Sequence, residues 1–289
     1  MFDTLRMLKG LSPAERATIQ SGEFSGEFSA DALLDQMRTL ARFDATNDAT
    51  RARLKGLLGV SIALTFLPLF VVKVQPVVVL SFCALALICA IYIGVILSRL
   101  SRMDISNNFR EIALPFLAVL KQDIDHDKVL TVRIDLRSAT DAKKKQGSGK
   151  PYAHGAYKSI VDTTYRDPWF EGSARLSDGS ILRWNVTDEI CESKRTKRSS
   201  SGKMKTKTRN LKRSVVAVSL AVANKTYGVN ETLQSSRHKV AVLDGGKRRV
   251  IKLTRKLKTK SLDPIEPGVL IDAVSSAYKR VQAPQRSAA

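Results

Sequence analysis

The sequence is short of cysteine, histidine, aromatic residues and acid. Three cysteines, Cys83, Cys89 and Cys191, in 289 residues are too few for a disulfide framework or a cysteine-rich zinc site. Three scattered histidines argue against a histidine metal centre. Aromatic content is 6%, and no Phe, Trp or Tyr falls in the most basic stretch, so the stacking platforms of single-strand nucleic-acid binders are missing there. Acid is outnumbered, with 27 Asp+Glu against 48 Lys+Arg and a formal net charge of +21. No Gly-x-Ser-x-Gly nucleophile elbow occurs. Gly147-Ser-Gly149-Lys150 has Lys144 where a phosphate loop needs its leading Gly, and Pro151 where it needs Ser or Thr. Asp123-Ile-Asp125-His-Asp127 opens like a calcium loop but continues with Lys128 and Ile134 where Gly and Glu are required. Spacing alone does not bring Cys191 to His154 or His238. The expectation is a protein that is not an enzyme and holds no metal or cofactor.

What is present begins with two uncharged runs, Gly56–Val72 and Val77–Leu97. The second has 21 residues, roughly 31 Å of helix against a bilayer core of about 30 Å. The first is shorter, and Arg51, Arg53 and Lys55 can snorkel at its edge. Lys73-Val-Gln-Pro76 between them is too short for anything but a turn. The pattern predicts a two-helix transmembrane hairpin over 56–97. Cys83 and Cys89 within it read as small packing residues. Basic residues flank the pair outside (Arg38, Arg42, Arg51, Arg53, Lys55, then Arg99, Arg102, Arg110), whereas the turn holds Lys73 alone. The positive-inside rule then predicts an inner (plasma) membrane protein with both termini in the cytoplasm.

Residues 1–55 read as a helical segment with a flexible linker. Ser12-Pro-Ala-Glu15 has the form of a capping box. The tandem Ser21-Gly-Glu-Phe and Ser25-Gly-Glu-Phe reads as linker carrying two apolar studs, Phe24 and Phe28. From Ala30 a helix with the stripe Leu33, Leu34, Met37, Leu40 and Ala41 is expected. Residues 98–127 read as a helical connector with a kink at Pro115.

At Lys128 the period switches to two. Leu130, Val132, Ile134 and Leu136 alternate with polar residues, which predicts a half-buried strand. Residues 139–156 read as a loop. Strands are expected at Tyr157–Tyr165, Phe170–Leu176, Ile181–Thr187, Ser214–Ala223, Val240–Leu243 and Val250–Thr254, with Asp178-Gly179 and Asp244-Gly245-Gly246 as hairpin turns. The expected fold class is therefore an α+β membrane protein. Its residues 128–260 form an antiparallel β-rich domain, a small barrel or sandwich, and 261–289 supply a terminal helix and tail.

Charge is uneven. Residues 1–104 carry 11 basic and 9 acidic side chains, and residues 105–289 carry 37 and 18. Ten basic residues and no acid lie in 194–213: Lys194, Arg195, Lys197, Arg198, Lys203, Lys205, Lys207, Arg209, Lys212 and Arg213. A second run, 247–260, includes Lys247, Arg248, Arg249 and Lys252. Lys203, Lys205, Lys207 and Arg209 alternate with neutral residues, and Ser199-Ser-Ser-Gly202 suits a turn. The pattern predicts a long hairpin rooted in the sheet through Trp184, Val186, Val216 and Val218, with a basic tip. Such crowding repels itself and implies an anionic partner. Anionic lipid headgroups come first, because each basic residue near a charged leaflet contributes about 1 kcal/mol. Nucleic acid is a further candidate. So is a small anion such as a nucleotide, with Tyr152, Tyr157, Tyr165, Trp169 and Trp184 for stacking and self-association of the spans as output.

Overall fold

The computed structural model describes residues 2–66, 76–125, 128–233 and 235–282. The chain is an α+β protein with a helical N-terminal part and a large antiparallel sheet. It separates into two compact units, Met1–Ser21 with Arg38–Ile105 and Gly22–Met37 with Ser106–Ala289.

The chain opens with α1 (Phe2–Gly10) and α2 (Pro13–Ser21). The capping box forms: the Ser12 amide donates to Glu15 Oε2 at 2.7 Å and the Glu15 amide to Ser12 Oγ at 3.2 Å. The Ser-Gly-Glu-Phe repeat is a strand, β1 (Glu23–Ser29), and not the expected linker. Phe24 and Phe28 lie four apart on one strand face and stack at 5.0 Å. Gly26 between them makes this fit, since a Cβ there would lie 2.9 Å from the Phe28 ring. Helix α3 (Ala30–Phe66) follows, then α4 (Pro76–Ser101).

Within the helical unit, Ser61 Oγ donates to the Ala86 carbonyl at 2.8 Å, so the two helices touch through small side chains. Among the described residues one stretch, Val79–Ser101 in α4, is long and apolar enough to cross a membrane, and only 6% of its apolar window is buried. The expectation was two such spans. Leu67–Val72 of the first run and the turn Lys73–Gln75 lie outside the described residues.

In the sheet unit, a π-turn (Phe109–Ala113) precedes α5 (Leu114–Leu120), with Pro115 in its first turn. His126 and Asp127 of the rejected calcium loop lie outside the described residues. Then come β2 (Val129–Asp135), β3 (Lys145–Ser148), β4 (Tyr152–His154), β5 (Tyr157–Arg175), β6 (Ile181–Arg198), β7 (Met204–Ala223), β8 (Gly228–Val229), β9 (Lys239–Asp244), β10 (Arg248–Thr259), α6 (Gly268–Tyr278) and β11 (Val281–Gln282). The two strands expected at 157–165 and 170–176 are one. Pro168, which has no N–H to give, sits at a register shift within β5, where a strand tolerates it. The expected loop 139–156 contains β3 and β4, both paired with β5.

The sheet order is β1-β2-β5-β6-β7-β10-β9, all antiparallel. Among the described residues no barrel closes, and the other sheet is the two-stranded β8–β11 pair, too small to form the second layer of a sandwich, which corrects the barrel or sandwich expectation. The reason is packing. Helices α5 and α6 cover the apolar face, so no opposing sheet is needed. Phe116 of α5 meets Phe170 and Trp184 edge-on at 5.8 and 5.3 Å. Gly172 lies opposite Trp184, where a Cβ would run into the indole ring. Val216, Val218, Leu220, Ile251 and Leu253 are buried on this face. The Asp-Gly turns form as expected, with Gly179 and Gly246 at φ +79° and +75°.

Candidate functional site

Residues paired in register across a sheet share a face, and neighbours along a strand alternate. The registers therefore sort the basic side chains. On the face opposite α5 and α6 lie Arg195 and Lys197 of β6; Lys205, Lys207, Arg209 and Arg213 of β7; and Arg248, Lys252, Lys256 and Lys258 of β10. Arg166 of β5 joins them through Glu189. Lys205, Lys207, Arg209, Arg213, Lys252, Lys256, Lys258 and Arg166 are exposed.

The long hairpin predicted over 181–223 is present. β6 and β7 pair from Ile181↔Ala221 to Arg198↔Met204, and the turn closes with Ser199 N–H donating to Lys203 O at 2.8 Å. β5 runs beside it to Ser159↔Thr196, and β3 and β4 flank β5 on its other side, so the projecting part is four strands wide. Two pairs of like charges stand directly opposite one another there, Arg195↔Lys207 and Lys197↔Lys205. Such pairs destabilise a sheet. Arg195 also lies over the Tyr157 ring at 5.7 Å, a cation–π contact.

Not every predicted residue belongs to the face. Lys212 is 1% exposed and points to the helix-covered side. It donates to the carbonyls of Leu262 and Asp263 and lies 3.8 Å from Asp188, so it is a core cation. Lys194 and Arg198 have the opposite phase to Arg195 and Lys197. Lys194 pairs with Glu192 at 3.5 Å, and Arg198 donates to Gly202 O at 3.2 Å. Arg213 is bonded to Glu189. Arg248 donates to the carbonyls of Gly179 and Ala221 and braces a turn. Arg249 has the core phase, opposite Val222. Lys203 and Lys247 are exposed in turns.

At the root of the arm, the register assembles something the sequence did not reveal. A groove of about 520 Å³ is lined by Thr164, Cys191 and Leu211 and by the charged Arg166, Glu189, Arg213 and Lys258. Arg166 stands alone in sequence, so only strand register brings it here. Cys191 lies opposite Thr164, while His154 lies opposite Tyr157, seven residues away along β5. That is about 23 Å of strand, so they form no nucleophile pair. Trp169 and Trp184 are buried, the first stacked on Phe170 and the second tilted against it, in the core and not on a ligand face.

Behind the groove, on the covered face, is a buried charge network. Asp167 and Asp188 are cross-strand neighbours. Lys144 reaches Asp167 at 2.8 Å and Asp135 at 3.3 Å. Burial pushes the Asp167 carboxyl up to about 7, against the opposing pull of Lys144. Asp188 is raised by burial too. Asp135 is pushed up by burial, but hydrogen bonds from Arg137 outweigh this and leave it low.

In the helical unit Asp44, Asp48 and Asp104 bring carboxylate oxygens within 4.8 Å of one another. Arg51 bridges Asp104 and, at 3.6 Å, Asp48, so this cluster already has its cation. No family model, curated protein or solved structure matches this chain.

Proposed function

We propose that the chain is a membrane-anchored binding or scaffolding protein whose basic sheet face engages polyanions, in first place anionic lipid headgroups. The observation that carries this reading is the arm. Two in-register like-charge pairs and the exposed Lys205, Lys207 and Arg209 share one face, with Asp162 as the acid nearest them in register. Isolated, that arrangement costs stability; against an anionic surface it is stabilising. Anchorage is supported by α4, whose Leu80, Leu85, Ile88 and Ile91 stay exposed where a core helix would bury them. In this reading the first apolar run forms the second span, and the flanking Arg and Lys put both termini and the sheet on the cytoplasmic side of an inner membrane. The protein acts by binding and not by catalysis. Single-stranded nucleic acid would be an incidental ligand, because residues 194–213 carry no aromatics for base stacking.

Full-length protein in nanodiscs tests this by hydrogen exchange. With anionic phosphatidylglycerol in the disc, amides of 194–213 should exchange more slowly than with neutral phosphatidylcholine, and 0.5 M salt should abolish the difference. Equal exchange on both lipids sinks the lipid reading, and protection by nucleic acid alone moves the arm to that partner.

A second reading is favoured by the groove around Cys191. Its net cationic lining suits a small anionic ligand such as a nucleotide, whose binding would drive homo-oligomerisation of the apolar helices. A nucleotide-dependent change in oligomer size or in vesicle dye leakage would mark that effector role.

A further inference from the structure

Beside edge strand β9, two places from β7 in the strand order, lies a second cavity of about 430 Å³. Its wall combines Arg280, His238, Ser235 and Thr232 with the apolar Leu233, Val240 and Val242. Arg280 follows α6 and is fixed by its backbone: its N–H donates to Ala277 O at 3.1 Å, and its carbonyl accepts from the Asn230 amide at 2.8 Å. Its side chain is 1% exposed, yet Nε and Nη1 have no hydrogen-bond partner among the described residues. A guanidinium cannot shed its proton, so a buried one needs a counter-charge.

Among the described residues the neighbouring groups do not provide it. Asp272 is shared by Arg255 at 3.2 Å, Arg237 at 3.8 Å and His238 Nε2 at 3.8 Å. Burial pushes the His238 imidazole down, so near neutral pH it is an uncharged polar wall. Glu231 lines the cavity without an ion pair to Arg280 among the described residues. The cavity therefore brings together a buried guanidinium with no ion pair among the described residues, the Glu231 carboxylate, a neutral imidazole and two valines.

We infer that this cavity is a binding site for a small organic monocarboxylate, its carboxylate on Arg280 and its apolar body on Val240, Val242 and Leu233. The Arg280 guanidinium has no ion pair among the described residues, and the apolar wall favours an acyl body over bare inorganic phosphate. A planar carboxylate matches the guanidinium fork. The site is independent of the arm, and its failure would leave the lipid reading untouched.

The test uses the full chain in detergent with hexanoate as probe and hexanamide as its neutral isostere. Hexanoate at about ten times its Kd should raise Tm by roughly 2–4 °C, and hexanamide should not. Arg280→Met should abolish the response. Should that variant fail to fold, Val242→Glu is the second one: it places a carboxylate in the cavity, so Tm should rise without ligand and hexanoate should add nothing. No response to hexanoate, an equal response to hexanamide, a stronger response to inorganic phosphate, or a response retained in either variant overturns the proposal.

Discussion

Replacing Lys205 and Lys207 together by Thr should have opposite effects on two kinds of membrane. In the native register these lysines face Lys197 and Arg195 directly. Charged heads about 7 Å apart in water repel by roughly 0.6 kcal/mol, and salt screening reduces that to a few tenths. Removing two such pairs, and gaining the higher strand propensity of Thr, should stabilise the arm by about 1 kcal/mol. On neutral phosphatidylcholine discs, amide exchange across 194–213 should therefore slow about five-fold. On phosphatidylglycerol discs the same change removes two cations from the surface, about 2 kcal/mol, or roughly 30-fold in association. There the variant should exchange faster than the parent. Measuring deuterium uptake of arm peptides on both lipids shows the crossover. A variant that slows exchange equally on both would refute the reasoning, because repulsion would then be the only role of these charges.

Three further outcomes follow from the packing and the buried charges. The Asp167 carboxyl, near 3.9 when unfolded and about 7 when folded, binds its proton more tightly in the native state. Stability should thus be fully present below about pH 4 and decline by about 4 kcal/mol as pH rises to 7. Asp167→Asn should flatten that decline in denaturant titrations at pH 4.5 to 8, and an unchanged slope would contradict the assignment. Gly172→Ala should force its Cβ against the Trp184 ring and cost about 1–3 kcal/mol, read as a lower Tm with altered Trp fluorescence. A fragment starting at residue 105 lacks β1, which pairs with β2 over Glu23↔Asp135 to Ser29↔Val129. It should aggregate through the bared β2 edge in size-exclusion runs, while a fragment that restores residues 22–37 should not.

Much of this was legible from local chemistry. The alternation at Leu130–Leu136, the Asp-Gly turns and the basic hairpin follow from period two and turn residues. Three features were not legible, each because it depends on distant pairing. β1 reads as linker, since Gly and Ser interrupt its apolar residues and its partner lies a hundred residues or more away. The open sheet replaces a barrel because two short helices cover its apolar face, and strand counting does not reveal which cover a sheet uses. Among the candidate residues, the alternation from Lys205 to Arg209 gives the correct face. Charge counting alone includes Lys212, which strand phase buries beside Asp188. It leaves out Arg166, which only register brings to the groove. Arg280 gave no sequence signal, because its burial without a hydrogen-bond partner at Nε and Nη1 is a property of packing.

The most direct test of the central claim measures how near the arm comes to lipid. Ser200→Cys in a background lacking Cys83, Cys89 and Cys191 would place a fluorophore at the hairpin turn, with acceptor-labelled headgroups in the disc. The account predicts strong energy transfer on phosphatidylglycerol that weakens on phosphatidylcholine and in 0.5 M salt. Transfer that ignores both lipid charge and salt would contradict it.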